Sequence, residues 1–300
     1  MSRTAPVWRS LIFVPAHVGK FVSKVHERGA DACILDLEDS VPLAHKSEAR
    51  AVAQVASRAI DDRGMDVLVR INTLETGGLD DLQAIVSPAL RAVVVPKVAS
   101  AEAVRVIAAL LERMEPEFGV PDGQIGLIAQ IEDVAALPML DEIATSSPRL
   151  LGMSLGPEDF CVSAGIEPVP ETLYGPNQQV AFACRRAGIL PFGFPGSISD
   201  FSDLQGFRET VVKARQLGMV GAFCIHPAQV AVLNEVLTPS SAEVEFAEGV
   251  LAELDLALAE GRGAFAYRGR MIDAPVIARA QEVLARHRAI YKRRMPAVDH

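Results

Sequence analysis

The chain has 300 residues, half of them hydrophobic, 22% of them charged, with a net charge of −9. That is enough apolar material for one large domain or two small ones, and an acidic balance with no basic stripe argues against a nucleic-acid surface. No run of about 18 apolar residues occurs, which argues against a membrane span, and Met1 to Trp8 lack the apolar core of a signal peptide.

In chain order, Ser10 to Pro15 is the first strand candidate, and Val18 to Arg28 a short helix stopped by Gly29. Ala32 to Glu38 reads as a second strand, buried on both faces. Lys46 to Ile60 has helical spacing, Val67 to Asn72 is a third strand, and Leu79 to Val86 a helix. Ala92 to Val98 is a fourth strand. Ala101 to Phe118 is a long helix with Ser100 as its N-cap. Ile125 to Ile131 is the fifth strand, Val134 to Ala144 a helix, and Leu150 to Leu155 the sixth strand. From Gly156 to Gly175 the chain reads as an irregular, proline-rich connection. Gln178 to Ala187 is helical with Gly188 as its C-cap. Phe192 to Gly196 is a weak seventh strand, Leu204 to Leu217 a helix, and Ala222 to His226 the eighth strand. Ala242 to Glu260 and Pro275 to Arg294 are helical, separated by a glycine-rich segment. That segment carries Phe265, Tyr267, Met271 and Ile272, too apolar for a disordered linker.

Strands alternating with helices imply βαβ units and a parallel sheet. About eight such units predict an α/β fold, a (β/α)8 TIM barrel over residues 1–236 with a C-terminal helical extension over 237–300 acting as a lid. An open doubly wound sheet is the alternative, but the turn Val14-Pro15-Ala16-His17 lacks the glycine-rich phosphate fingerprint. Cys33, Cys161, Cys184 and Cys224 form no CxxC pair and read as reduced thiols of a cytoplasmic protein.

Polar residues recur at the C-terminal ends of the strands: Asp36, Glu38 and Asp39, then Arg70 and Asn72, then Lys97, then Glu132 and Asp133, then Glu158 and Asp159, then His226. In a barrel those ends form one rim, where active sites are built. Glu132 and Asp159 are hard oxygen ligands with no His or Cys pair beside them, which favours Mg2+ or Mn2+ over zinc. Arg70 offers a planar fork for a substrate carboxylate. A divalent ion beside an Arg suits a 2-oxo acid, with Glu38 and Lys97 at the same rim as substrate-binding candidates. His226 is either a general base or, with Pro227 following, a residue that packs and hydrogen-bonds.

Arg9-Ser-Leu-Ile-Phe-Val-Pro15, Asp36-Leu-Glu-Asp-Ser-Val41 with Lys46 and Ala49-Arg50 downstream, Val69-Arg-Ile-Asn72, Pro96-Lys97, Ile131-Glu132, Gly156-Pro-Glu-Asp159, Ile225-His-Pro-Ala-Gln229 and Gly269-Arg-Met-Ile-Asp-Ala-Pro275 stand in order along the chain. In these motifs the sequence resembles the citrate lyase beta subunit and malyl-CoA lyase family, from about residue 9 to 285. The resemblance implies a trimeric or hexameric homo-oligomer of barrels and Mg2+-dependent cleavage or formation of C–C bonds in 3-hydroxyacyl-CoA thioesters. It implies Glu132 and Asp159 as metal ligands, Arg70 on the oxo acid, Arg9 and Lys20 on CoA, and Asp273 as an acid/base supplied by a neighbouring subunit. It leaves open the beta subunit of a citrate lyase complex acting on an acyl-carrier thioester, and a malyl-CoA or citramalyl-CoA thioesterase. Asp133 departs from the Thr or Ser usual after the metal-binding Glu; an added carboxylate there either changes metal affinity or points away.

Overall fold

The computed structural model describes residues 6–294 apart from 200, 260 and 262. The β-branched runs form eight parallel strands: β1 (Ser10–Pro15), β2 (Ala32–Asp36), β3 (Asp66–Arg70), β4 (Leu90–Val95), β5 (Gly126–Ile131), β6 (Leu150–Leu155), β7 (Leu190–Phe192) and β8 (Ala222–Cys224). Each pairs with its sequence neighbour, and β1 also pairs with β8, Ser10 opposite Ala222. The circle closes between β7 and β8 through a single parallel bridge, Phe192 to Gly221, with Gly193 N–H donating to the Gly221 carbonyl at 2.9 Å.

Side chains alternate along each strand, so each strand supplies two cores. Leu11, Ile34, Leu68, Val94, Ile128, Phe192 and Phe223 fill the barrel interior. Val14, Leu35, Val69, Val93 and Leu127 belong to the larger cluster against the surrounding helices. Burial on both faces explains why these strands read as continuous apolar runs.

The helices from Lys46–Asp61 to Leu204–Gln216 follow the expected spacing, and Ser100 caps its helix as expected, its hydroxyl accepting from Ala103 N–H. Four expectations are corrected. The connection from Gly156 to Gly175 is mostly helical, in Pro157–Ala164 and Pro170–Ala187. Both prolines stand at the start of a helix, where the missing N–H costs nothing, so they mark entries and not irregular chain. A helix, Pro227–Val236, follows β8, and His226, the expected last residue of the strand, is instead its N-cap. Val134–Met139 is a 3-10 turn that hands over to an α-helix only at Leu140–Ala144.

The fourth correction lies in the C-terminal part. The chain divides into two compact units at Leu237/Thr238. In the second, helices Ser241–Ala259 and Ala274–Arg294 flank an antiparallel hairpin, β9 (Phe265–Tyr267) and β10 (Arg270–Ile272), where the sequence predicts a loop. Arg268 and Gly269, at φ 47° and 75°, make its two-residue turn, the doubly left-handed form that suits the twist of a hairpin. Ala247, Val250, Phe265, Ile272 and Leu284 give this unit a core of its own. No helix among the described residues is long and apolar enough to cross a membrane.

Candidate active site

A cavity of about 750 Å3 opens at the C-terminal ends of the strands. Its lining combines the charged Asp36, Asp39, Arg70, Glu132, Glu158 and Asp159 with the apolar Phe13, Phe194, Ile198, Phe223 and Ile225.

Arg70, the last residue of β3, reaches across to β2. Its Nε and Nη2 donate to the two oxygens of Asp36 at 2.7 Å each, and Nη1 lies 3.0 Å from Glu38 Oε2. The fork expected to await a substrate carboxylate is therefore bidentate on Asp36, leaving the Nη1 side toward Glu38. Phe13 covers the guanidinium, ring centre 4.8 Å from Cζ. Burial raises the Asp36 carboxyl, but Arg70 and the Ser40 hydroxyl outweigh it and hold the group below its usual range. Glu38 is the opposite case: burial and Asp39 push it up against Arg70 and Lys97. The Lys97 ammonium sits 2.6 Å from Glu38 Oε1 and 3.5 Å from Asp39 Oδ1.

Beneath this cluster lies a brace. Lys46 Nζ donates to the carbonyls of Leu37 and Glu38 and to Asn72 Oδ1 at 2.6–2.7 Å. Asn72 in turn donates to the buried Asp81, which Arg50 pairs at 2.7 Å. Lys46, Asn72 and Arg50 stand in the sequence motifs. Asp81 does not, and only its place on the inner face of helix Gly78–Ile85 signals it.

Glu132 follows β5 and is 6% exposed. Its Oε2 accepts the Lys97 backbone N–H at 3.0 Å. A side chain on Gly156 would put its Cβ 2.5 Å from Glu132 Cγ, so glycine is required by the close approach. Burial, then the charges of Glu38 and Asp159, push the Glu132 carboxyl up to about 8 against the pull of Arg70 and the Lys97 amide. Asp159 enters the cavity from the first turn of helix Pro157–Ala164. Gln130, two residues before Glu132 and on the same strand face, lines the cavity while buried, its Oε1 without a hydrogen-bond partner. Gln130 carries no charge to mark it in the sequence, and its place within the apolar run of β5 is its one signal.

Other expected residues fall elsewhere. Arg9 precedes β1 and so lies at the opposite face of the barrel, 3% exposed and bound through Nε and Nη2 to Asp31 at 2.8 and 2.7 Å. Its proposed contact with CoA is corrected on that ground. Lys20 is exposed in helix Gly19–Val22, on the rim side. Asp133 is the N-cap of the turn Val134–Met139, accepting from Ala135 N–H and the Ser163 hydroxyl at 2.9 Å each. These bonds hold its carboxyl below the usual range, so the extra charge is engaged in capping. His226 lines the cavity but caps helix Pro227–Val236, Nδ1 accepting from Ala228 N–H at 3.2 Å. A neutral ring in that role carries its proton on Nε2, which makes it a donor and not a base. Asp273 lies in the second unit, with Oδ1 3.5 Å from Val276 N at the start of the last helix.

Carboxylates outnumber cations at this rim: among the described residues Glu132, Glu158 and Asp159 have no side-chain cation bonded to them, and of these Glu158 is engaged by the Ser197 hydroxyl at 2.6 Å. Among the described residues, no group of three or more His, Cys, Asp and Glu is placed to hold a metal ion. Two carboxylates with room for water and substrate oxygens suit Mg2+, which typically takes one or two protein carboxylates. A cation there would also relieve the charge that raises Glu132, so the residues present fit the ion.

The chain is similar in sequence and fold to known proteins. The L-malyl-CoA/beta-methylmalyl-CoA lyase of Rhodobacter capsulatus is 36% identical over 299 residues, covering 92% of this chain and 93% of its own. The citrate lyase subunit beta of Leuconostoc mesenteroides subsp. cremoris is 33% identical over 280 residues, covering 92% of each chain. The solved structure of CitE from Mycobacterium tuberculosis in complex with magnesium, acetoacetate and coenzyme A matches with a TM-score of 0.72 at 27% identity, covering 95% of this chain and 98% of that one. With residues 9–227 matching the family's own pattern, the chain belongs to the HpcH/HpaI aldolase/citrate lyase family.

Proposed function

We propose that this protein is a Mg2+-dependent carbon–carbon lyase that cleaves or forms a 3-hydroxyacyl-CoA thioester, such as malyl-CoA or citramalyl-CoA, with acetyl-CoA and a 2-oxo acid as products. The observation that carries it is the meeting of Glu132 and Asp159 in one cavity with a surplus of negative charge and Arg70 alongside.

Glu132 and Asp159 would hold the ion, which supplies Lewis-acid polarisation of the oxo-acid oxygens and a template for them. The Lys97 amide orients Glu132. Arg70, fixed by Asp36 and shielded by Phe13, presents positive charge toward the oxo-acid carboxylate. The apolar wall of Phe13, Phe194, Ile198, Phe223 and Ile225 excludes water from the reacting carbon. Asp273, delivered by a neighbouring subunit of a trimer or hexamer, serves as acid/base. In cleavage it takes the hydroxyl proton, the C–C bond breaks, its electron pair passes to the acyl-CoA as an enolate, and Asp273 returns the proton to the α-carbon. Lys20 is the remaining candidate for the CoA tail.

The test is to incubate the purified chain with malyl-CoA and citramalyl-CoA, with Mg2+ and with EDTA. Acetyl-CoA plus glyoxylate or pyruvate, formed only with Mg2+, supports the reading. Free CoA without a 2-oxo acid identifies a thioesterase instead. Inactivity on both esters, with turnover of an acyl-carrier thioester, identifies a citrate lyase beta subunit.

A further inference from the structure

Lys97 has φ +53°, and Arg268 of the hairpin turn is the other non-glycine residue with positive φ among the described residues. Eleven glycines take the remaining left-handed positions. Lys97 also follows Pro96, and the position after a turn proline usually goes to Gly or Asn when φ is positive. A lysine held there needs something to hold it.

Both ends of the residue are engaged. The backbone N–H donates to Glu132 Oε2 at 3.0 Å, and the ammonium donates to Glu38 Oε1 at 2.6 Å. The next amide, Val98 N–H, returns to the sheet and donates to the Gln130 carbonyl at 2.9 Å. The left-handed turn is thus confined to one peptide, the one that bonds Glu132. Glu38 is itself fixed by Arg70 and, through its carbonyl, by Lys46.

We propose that Lys97 is a two-ended positioning residue: its ammonium, clamped on Glu38, holds the backbone left-handed, and that backbone aims its amide at one oxygen of Glu132 so that the other is presented to the divalent cation. The proposal rests on the reading that Glu132 and Asp159 hold Mg2+. It assigns Lys97 to the cation and not to the substrate.

Glycine and alanine separate the two ends. Both remove the ammonium, but only glycine adopts positive φ without cost. Mg2+ affinity is measured by calorimetry on full-length wild type, Lys97→Gly, Lys97→Ala and Lys97→Met, with thermal melts of the metal-free proteins alongside. Lys97→Gly is expected within twofold of wild type. Lys97→Ala and Lys97→Met are expected to bind about fivefold weaker or worse, with melting temperatures close to wild type. The Met variant keeps the stem, so it reads the lost ammonium without a gap in packing. If all three variants weaken together, the ammonium's bond to Glu38 sets the site whatever the backbone conformation, and the backbone role is overturned. If none weakens, the amide does not position Glu132 and the proposal is equally overturned. Wild type and Asp159→Asn, titrated in parallel, report on the underlying metal site: equal Mg2+ binding by these two would sink that assignment rather than the role of Lys97.

Discussion

At the N-terminal face of the barrel, Arg9 meets Asp31, and Arg149 meets Glu115 at 2.8 and 2.7 Å. At the C-terminal rim, Arg70 meets Asp36 and Glu38. The groups are the same and all are largely buried, but the balance differs. Each lower pair has one cation for one anion, and backbone amides complete it: Arg9 N–H on Asp31, Gly123 and Ile125 N–H on Glu115. The rim has Asp36, Glu38, Asp39, Glu132 and Asp159 around Arg70 and Lys97. A buried charge left unpaired is costly, and a pair broken from one side is worse than no pair. The lower end has settled that cost within the chain, whereas the upper end keeps it open, which is the condition for capturing a cation from outside.

Breaking the upper end should give the largest effect. Glu132→Gln or Asp159→Asn removes a carboxylate proposed to hold the cation, and since supporting residues alone cost about 10–100-fold, the loss in kcat/KM should exceed roughly 100-fold, with partial rescue by excess Mg2+. Stability without metal should hold or rise for Glu132→Gln, because a crowded buried carboxyl is neutralised. Steady-state kinetics over a Mg2+ series and metal-free melts check both halves. Breaking the lower end should do the reverse. Arg149→Ala leaves Glu115 buried without its cation and should cost about 3–5 kcal/mol in denaturant unfolding. Folded Arg149→Ala and Arg9→Ala should keep wild-type Mg2+ affinity. A selective loss of CoA-ester binding in Arg9→Ala, with metal affinity intact, would contradict the placement of Arg9 away from the rim.

Proton linkage sharpens the contrast. The Glu132 carboxyl ionises at about 8 in the fold, against an ordinary value of 4.5. Between those values the unfolded chain has released the proton and the folded chain retains it. Metal-free stability should therefore fall as pH rises from about 4.5 to about 8, through this group. Mg2+ needs the ionised form, so its affinity should climb about tenfold per pH unit in the upper part of that window, with one proton released on binding. Calorimetry in two buffers of different ionisation enthalpy counts that proton. The smallest effect belongs to Asp133→Ala. It removes a cap from an exposed turn, so the melting temperature should fall by no more than about a few degrees while Mg2+ affinity stays unchanged. A tenfold change in affinity would return Asp133 to the metal site.

The barrel was legible because a strand buried on both faces cannot hide: Ile34, Leu68, Val93 and Leu127 are apolar on whichever side they point. The rim was legible because charges at the ends of such strands have few other reasons to be there. What escaped was set by geometry that residue type does not encode. Pro157 and Pro170 open helices, yet the same residues also fill loops. Arg9 stands in a family motif, but a motif does not say which end of a strand is the working end, and Arg9 comes before β1. The hairpin turn at Arg268–Gly269 was obscured by neighbouring glycines that look like a linker. Lys97 was visible as a charge, and nothing in its identity announces a left-handed backbone.

The seam between β7 and β8 bears on how the chain is made. β1 pairs with β2 on one edge and β8 on the other, and β8 comes after nearly all of the barrel has been synthesised. Until Ala222–Cys224 leave the ribosome, the edge of Ser10-Leu-Ile12 that they pair has no partner within its own chain. An apolar strand edge in that state is a template for pairing with other chains. β7 can do little to guard it, being three residues long and joined to β8 by one bridge. Chains truncated between β7 and β8 are therefore expected to aggregate where complete chains fold.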